Sequence, residues 1–503
     1  MSSGSLTLHL HDYAFFPYEL DLAKREVASL VGGRCSVSDK RFTVSGKWTH
    51  EHLWRLTYFS HAENGTGRQE TLQHRMERSH MASIGRNHRR QSTRYSVHGL
   101  HEYRGKFNPQ VAHALLNVFG AVPGDKVLDP FCGSGTTLLE AAHLGISGCG
   151  FDMNPLAVLI ADTKLCAFSL APTELRASLA TVRRASARAR DGKLPREDSR
   201  IEYLGRWFTP EMLSEIEWLR THLSKLDAAH RDFFLVIASN LLREYSLQDP
   251  ADLRIRRRKS PLPSTPFVEA WIAACTEQIG ILEGVQPLLP RRENQSRAHL
   301  ADVRELSNAG QRFRPAPPFD YVITSPPYAT ALPYIDTQRL SLVWLGMIPP
   351  DEIKVLDSDV LGSREMLGER SVWDEALCAN ANELPAEAAQ FCQRLARAVG
   401  TGDGFRRQAV PALLYRYLAG MRDAFAGLHR LLRRGGRMAW VVGVNQTTLG
   451  GEPIIINTPG LLTMVAEAAG FTAEQSIGLQ AYQRYGVHQK NSIREESVLI
   501  FRR

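Results

Sequence analysis

Two short stretches of the sequence combine residue types that could do chemistry. The first runs from Asp129 to Thr137 and reads Asp-Pro-Phe-Cys-Gly-Ser-Gly-Thr-Thr. Its two glycines allow a sharp bend that brings the backbone close to a ligand. The helix expected after them offers free N–H groups to an anionic or carboxylate-bearing ligand end. Asp152, at the end of the next predicted strand, could accept both hydrogen bonds from a ribose diol. The pattern indicates a nucleotide-like cofactor.

The second stretch is Ser325-Pro326-Pro327-Tyr328, directly after a predicted strand over 320–324. Two successive prolines fix the backbone and remove two donors, which leaves the Pro326 carbonyl as an unpartnered acceptor. The Pro326 carbonyl and the Ser325 hydroxyl could accept hydrogen bonds from the N–H groups of a planar amino group. The Tyr328 ring could stack on the nucleobase that carries this amino group. A Pro-Pro-Tyr on its own is more often an ordinary polyproline-like turn. Only its combination with the first stretch favours catalysis.

The elements that must position these stretches form a strand, glycine turn, helix, strand pattern. This is the start of a doubly wound, mostly parallel α/β sheet. A nicotinamide enzyme would use similar parts, but G-x-G-x-x-G is absent because Leu138 stands at its last position. The predicted organisation is a small α/β module (1–62), a basic linker or arm (63–95), a first part of the sheet domain (96–163), a mainly helical insertion (164–297), and a second part (298–503) with a helical insertion near 351–404.

Together the two stretches resemble the amino-directed DNA methyltransferases. D-P-F-C-G-S-G-T-T resembles motif I of that family, F-D-M-N-P its acidic second motif, and S-P-P-Y its motif IV. The resemblance implies a seven-stranded Rossmann-like sheet and S-adenosylmethionine as cofactor. It also implies methyl transfer to the exocyclic amino group of a flipped base, with Ser at the first position favouring cytosine N4 over adenine N6. The implied catalytic residues are Ser325, Pro326, Pro327 and Tyr328.

Further matches complete the implied cofactor site. The segment H-G-L-H-E-Y-R-G-K-F, residues 98–107, resembles motif X of the same family. Asp302 stands where a third acidic motif contacts adenine, although over a hundred residues separate it from the second motif. The implied cofactor-binding residues are Lys106, Phe107, Asp129, Phe131, Gly133, Gly135, Asp152 and Asp302. His98 and His101 form H-x-x-H, but no matching Cys or acid cluster accompanies them in the sequence, so we expect no metal.

The composition indicates a soluble protein with a polyanionic partner. The 503 residues carry a formal net charge of +8, and such a positive excess suits double-stranded DNA. The helical insertion holds a basic run that we expect to grip phosphates, although a solvated basic face remains open. The run is Arg254, Arg256, Arg257, Arg258 and Lys259, preceded by Arg183, Arg184, Arg188 and Arg190. A cognate restriction endonuclease would be a further partner.

Cysteine usage and the apolar segments bear on the compartment. The seven cysteines are scattered without a C-x-x-C pair, which argues against a disulfide framework and a zinc ribbon. No signal peptide is evident, and no apolar stretch is long enough to span a bilayer. We therefore expect a cytoplasmic enzyme without a membrane segment.

Two other readings stay open. The first is an RNA methyltransferase of the tRNA guanine-N2 type, because the segment Y-A-F-F-P-Y-E-L-D-L near the amino terminus resembles RNA-binding modules attached to such enzymes. Those enzymes usually carry Asp rather than Ser before Pro-Pro-Tyr. The second is a non-catalytic nucleic-acid-binding protein on a methyltransferase fold. The intact glycine turn and tetrapeptide argue against it.

Overall fold

The structure is a computed structural model. It describes residues 2–65, 67–84, 91–103, 105–186, 198–252, 255–290, 295–306, 318–329, 335–480 and 495–503.

The amino-terminal part of the chain forms an antiparallel sheet in the order β2-β3-β1-β4-β5. The strand and helix order up to β4 is βαββαβ, the split arrangement in which β3 lies between β2 and β1. Its apolar residues face α1, and that helix packs in turn on the next domain. The elements are β1 (Ser2–Leu10), α1 (Pro17–Leu30), β2 (Arg34–Ser38), β3 (Arg41–Trp48), α2 (His50–Trp54), β4 (Phe59–Asn64), β5 (Gly67–Glu70) and α3 (Leu72–Ile84).

The next segment builds the start of the main sheet. Helix α4 begins after Asn108, whose side chain accepts a hydrogen bond from the Gln110 N–H, and it ends at Gly120 in the left-handed conformation. Such a polar first cap and glycine end are typical helix boundaries. The elements are α4 (Pro109–Phe119), β6 (Lys126–Asp129), α5 (Thr136–His143), β7 (Ser147–Asp152) and α6 (Pro155–Ala167).

The helical insertion packs against α5 and α6 through one continuous apolar core. Three of its helices begin with an Asp or Thr side chain that accepts a backbone N–H, at Asp198, Thr209 and Asp227. Its helices are α7 (Pro172–Ser186), α8 (Ser199–Gly205), α9 (Pro210–Leu223), α10 (Ala228–Leu242) and α11 (Phe267–Val285).

The linker predicted over 63–95 is wrong, because that range holds the end of β4, all of β5 and helix α3. Helix α3 is polar and basic on most of its surface. However, Leu72 and Met76 are fully buried, and they pack with Tyr95 against Ile281 and Val285 of α11. Residues four apart lie on the same helix face. The same helix also buries Gln73, Glu77 and His80, and the Gln110 side chain donates to the Glu77 carboxylate at 3.2 Å. Buried polar side chains therefore help to dock a helix that its composition made look like an arm.

The remaining elements complete the main sheet and cover it. They are β8 (Arg297–Leu300), β9 (Phe319–Thr324), α12 (Arg339–Trp344), α13 (Ile353–Asp359), α14 (Arg370–Ala379), α15 (Ala386–Ala398), α16 (Phe405–Gln408), α17 (Val410–Leu431), β10 (Leu432–Gly443), β11 (Asn445–Leu449), β12 (Glu452–Ile456), α18 (Thr458–Ala468), β13 (Thr472–Gln480) and β14 (Glu495–Arg502). The turn predicted at residues 433–437 is instead an irregular start of β10, with a break in its pairing to β9 between Leu432 and Arg437. The hairpin β11–β12 was not predicted.

The main sheet has seven strands in the order β13-β14-β10-β9-β6-β7-β8. Within it β14 runs antiparallel to both of its neighbours. The pairings of β6 with β7 and β9, of β7 with β8, and of β9 with β10 are parallel. The predicted fold class, a doubly wound and mostly parallel seven-stranded sheet, is confirmed.

Alternate residues along the central strands face two different cores, as strand geometry requires. One face packs on α4 and the amino-terminal module, and the opposite face packs on α17 and α18. The first face presents Val127, Tyr321, Ile323, Ala439, Val441, Val498 and Ile500. The second presents Leu128, Val322, Met438, Trp440, Val442, Leu499 and Phe501. None of the described helices is long and apolar enough to cross a membrane.

Candidate active site

The two stretches singled out in the sequence meet where the neighbouring central strands β6 and β9 end. Strands β6 and β9 are neighbours, with Val127 paired to Tyr321. Two hydrogen bonds tie their ends together. The Thr137 hydroxyl donates to the Ile323 carbonyl at 3.1 Å, and the Thr324 hydroxyl donates to the Asp129 carboxylate at 2.6 Å. The glycine turn after β6 and the tetrapeptide after β9 therefore lie side by side.

The glycine turn is shaped by a carboxylate from the next strand. Asp152 accepts the Gly133 N–H at 2.9 Å on one oxygen and the Asn154 N–H at 2.8 Å on the other. Gly133 has φ +49°, and a Cβ placed there would lie 3.1 Å from the Tyr103 ring. A larger residue would be strained in its backbone and would press on that ring. The position needs glycine for both reasons.

Burial raises the pKa of Asp152 to about 6. Desolvation disfavours the charged form, and the two backbone N–H groups offset only part of that cost. Each carboxylate oxygen has a second lone pair, so an ionised Asp152 could still accept hydrogen bonds from a ligand in front of the turn.

The turns border a cleft with about 640 Å³ of empty space, part of it open to solvent. Eight of the predicted site residues line it, namely Lys106, Phe107, Phe131, Gly133, Asp152, Ser325, Pro326 and Pro327. In the described part of the chain, neither the Ser325 hydroxyl nor the Pro326 carbonyl takes part in a hydrogen bond. The cleft thus joins the predicted cofactor residues to two free acceptors.

Asp129 does not line the cleft. Its side chain is 1% exposed and accepts hydrogen bonds from the Phe131 N–H at 3.1 Å and from Thr324. Burial raises the pKa of Asp129 to about 6. Its predicted direct contact with the cofactor is therefore replaced by a role in holding the two turns together.

Gly135 and Asp302 also lie outside the cleft lining. Gly135 has φ +82°, and a Cβ there would lie 3.0 Å from the Ala161 side chain on α6. It serves close packing of the turn on that helix. The Asp302 carboxylate accepts the Arg304 N–H at 2.9 Å and binds the Arg304 guanidinium at 2.6 Å. Each Asp302 oxygen already accepts two hydrogen bonds from Arg304, so the structure does not support the predicted adenine contact.

Tyr328 stands beside the cleft without lining it. Its hydroxyl donates to Glu496 at 2.8 Å, and its half-buried ring packs against the core on the α17 side of the sheet. The next residue, Ala329, is held through its carbonyl by the Asn445 side-chain amide.

Among the residues of the site that the sequence did not single out are Tyr103, Asn154 and Lys164. The Tyr103 ring and Asn154 line the cleft, and the Asn154 side chain caps α6 and contacts Gln338. The Lys164 amine is fully buried behind the turn and lies 3.4 Å from the Ser134 carbonyl. Tyr103 and Asn154 fall inside the stretches that resemble motif X and the second motif. No local pattern marks Lys164.

The H-x-x-H pair does not act as one unit. His98 contacts the Glu140 carboxylate at 2.6 Å, whereas His101 lies 3.2 Å from the Ser239 hydroxyl. Glu140 also binds His113 and His143, and all four side chains are fully enclosed. Burial opposes ionisation of Glu140, but its interactions with the three histidines outweigh burial and hold the pKa of Glu140 well below its usual range. The sequence did not reveal this acid because it lies about forty positions downstream of His98.

The basic run of the insertion divides into side chains with different surroundings. The Arg258 side chain is 5% exposed and donates to the Ser246 carbonyl at 2.9 Å, so the prediction that it grips phosphate is wrong. Arg256 pairs with Asp252 at 3.0 Å, and Arg257 stacks 5.1 Å over the Trp207 ring. Lys259 is exposed, as are Arg183 and Arg184 on α7. The other three arginines, Arg188, Arg190 and Arg254, lie outside the described residues.

Comparison with known proteins agrees with the motifs. Residues 100–167 match a family model described as an RMKL-like methyltransferase domain. The chain is 25% identical over 307 residues to the type II methyltransferase M.MvaI of Kocuria varians, covering 54% of this chain and 63% of that one. It is 28% identical over 287 residues to the type II methyltransferase M.BsoBI of Geobacillus stearothermophilus, covering 52% and 54%. A stretch of 39 residues is 59% identical to the tRNA (guanine(6)-N2)-methyltransferase of Thermus thermophilus, covering 8% and 12%.

The fold, the two turns and the model matched over residues 100–167 indicate a methyltransferase domain. Over about half of its length the chain is similar to type II methyltransferases, in agreement with the resemblance of its motifs. The chain spans less than two thirds of the length of these type II relatives.

Proposed function

We propose that this chain transfers a methyl group from S-adenosylmethionine to the exocyclic amino group of a base in double-stranded DNA, with cytosine N4 favoured over adenine N6. One observation carries the proposal. The glycine turn and the Ser-Pro-Pro-Tyr turn border the same cleft, so a cofactor on one side and an amino group on the other would be neighbours.

The residues of the glycine turn fit S-adenosylmethionine. Gly133 leaves room under the Tyr103 ring that a Cβ would take, and Asp152 offers lone pairs at the cleft surface for ribose hydroxyls. Phe131 supplies apolar surface, and Lys106 supplies a positive charge at the same cleft. S-adenosylmethionine, when bound, supplies an electrophilic methyl group.

The acceptors on the other side fit an amino group. The Ser325 hydroxyl and the Pro326 carbonyl can each accept a hydrogen bond from one N–H group of a planar amine. These two hydrogen bonds draw the nitrogen lone pair out of conjugation with the ring. The amino nitrogen would then attack the methyl carbon in a direct displacement, in which the N–C bond forms as the C–S bond breaks, the sulfur leaves as a neutral thioether and the nitrogen gives up one proton to solvent. Holding both reactants in one cleft would supply much of the acceleration. The base must leave the duplex to reach this cleft, at a cost of a few kcal/mol.

The decisive experiment identifies the product. The purified chain is incubated with labelled S-adenosylmethionine and with either duplex DNA or tRNA, and the modified nucleoside is determined. We expect N4-methylcytosine from DNA. A product labelled only on tRNA guanine would overturn the DNA assignment, and no transfer to either substrate would overturn the enzyme assignment. If a cognate restriction endonuclease accompanies the enzyme, the methylated DNA should resist its cleavage.

The short match to a tRNA guanine-N2 methyltransferase favours RNA as the second candidate substrate. That match covers 8% of this chain, whereas the matches to type II methyltransferases cover more than half of it. The Ser at the head of the tetrapeptide also departs from the Asp usual in the RNA enzymes. DNA is therefore the better supported substrate.

A further inference from the structure

Glu496 reaches the tetrapeptide from a distant part of the chain. Strand β14 runs antiparallel beside β10, so its first residues lie at the sheet edge where β9 and β10 end. Glu496 is the second residue of β14 and is paired with Gly443. Side chains at paired positions of an antiparallel ladder lie on the same face. From this position at the end of β10, the Glu496 carboxyl reaches the Tyr328 hydroxyl.

The contact between the two side chains is specific. The Tyr328 hydroxyl donates to the Glu496 carboxylate at 2.8 Å. Burial raises the pKa of Glu496, and the hydrogen bond from Tyr328 opposes that rise. Glu496 is thus a largely desolvated carboxyl whose contact with Tyr328 couples the last strand of the sheet to the tetrapeptide.

The Tyr328 backbone is confined as well. A Cβ at Gly362 would lie 2.5 Å from the Tyr328 carbonyl oxygen, so the segment after α13 abuts this residue. The Asn445 amide holds the next carbonyl, that of Ala329. With the backbone fixed on two sides, the direction of the ring depends on what holds its far end.

We infer that Glu496 is a positioning residue for methyl transfer, holding the Tyr328 hydroxyl so that the ring stays beside Pro327 at the mouth of the cleft. The inference rests on the proposed function of the tetrapeptide. Glu496 is not among the residues that line the cleft, so it would act through Tyr328. Its effect should therefore appear in kcat and in the KM for DNA, and cofactor affinity should not change.

The test is a double-mutant cycle on the full chain with duplex DNA. Glu496→Ala and Tyr328→Phe each remove one side of the hydrogen bond, and each should lower kcat/KM for DNA about tenfold. Combining them should cost no more than either alone, because one bond is lost in all three variants. Glu496→Gln keeps an acceptor oxygen and should retain most of the activity. Glu495→Gln, an exposed neighbour with the same charge change, is the control and should match the wild type.

The outcomes separate positioning from folding. If Glu496→Ala merely weakens the fold, its loss persists in the Tyr328→Phe background, and additive losses overturn the inference. Wild-type kcat/KM in Glu496→Ala also overturns it. The cycle is scored on whichever nucleic acid the wild type methylates, so a tRNA product would contradict the DNA proposal and leave the coupling test intact. A wild-type rate in Ser325→Ala would contradict the role of the tetrapeptide independently of Glu496.

Discussion

The turns at the carboxyl ends of β6 and β9 and the described part of the basic run, residues 256–259, hold their polar groups in different ways. At these turns, the backbone sets the positions, because the order of strands makes the ends of β6 and β9 neighbours. In the basic run, adjacent cations have different environments, from the enclosed Arg258 to the exposed Lys259. The structural role of a motif that acts through its backbone can thus be predicted from sequence more directly than the role of each residue in a run of charges. The predictions below test that contrast.

The largest expected effect is at the tetrapeptide. Ser325→Ala removes one of the two free acceptors and should lower the rate of methyl transfer up to about 100-fold, since a buried hydrogen bond contributes about 1–3 kcal/mol. Binding of S-adenosylmethionine, measured by calorimetry, should not change. A variant that transfers at the wild-type rate would show that the Ser325 hydroxyl is not an acceptor in the reaction.

The second prediction compares the enclosed Arg258 with the exposed Lys259 in the basic run. Arg258→Ala leaves the carbonyls of Glu244 and Ser246 without their donor, and it should lower the free energy of unfolding by about 1–3 kcal/mol. Lys259→Ala should leave stability unchanged. It should instead reduce the slope of log K against log salt for DNA binding by about 1. A loss of stability in Lys259→Ala together with a reduced salt slope in Arg258→Ala would contradict the different roles given to these two residues.

The third prediction tests the close approach at the glycine turn. Gly133→Ala should weaken cofactor binding about tenfold, because the new Cβ meets the Tyr103 ring and the backbone stays left-handed at a cost of about 1–2 kcal/mol. Gly124→Ala is the matched control, with φ +110° and nothing within 4 Å of the new Cβ. Gly124→Ala should leave cofactor affinity unchanged, and equal affinity in the two variants would contradict the close approach of the ligand to Gly133.

The smallest effect is on pH dependence. The pKa of Asp152 is raised to about 6, so this group gains a proton as pH falls through that value and loses acceptor capacity. Cofactor affinity should fall about twofold between pH 8 and pH 6 and further below. Stability should respond in the opposite direction, because a raised carboxyl pKa favours the folded state at low pH. The pKa of Asp129 is also about 6, so its titration must be told apart from that of Asp152. Asp152→Asn should abolish the loss of cofactor affinity at low pH if Asp152 is the group responsible.

The sheet and the meeting of the turns could be predicted because both follow from local patterns and known strand topology. The roles of Asp129 and Asp302 could not, since each carboxylate is used by a neighbour, Thr324 or Arg304, that nothing in its own motif specifies. Helix α3 was missed because most of its buried side chains, Gln73, Glu77 and His80 beside Leu72 and Met76, are polar. The fate of Arg258 depends on carbonyls twelve or more positions away. Pairings between side chains on different elements are what the sequence concealed.

The amino-terminal module shares its core with the last strand of the main sheet, since Leu22 and Val27 belong to the same apolar cluster as Val498 and Ile500. During translation the first elements leave the ribosome hundreds of residues before their final packing partners exist. Until those partners are synthesised, part of the module's apolar surface stays exposed to solvent. Chaperones bind intermediates of this kind. Shortening the chain at its carboxyl end should thus impair the maturation of the segment made first.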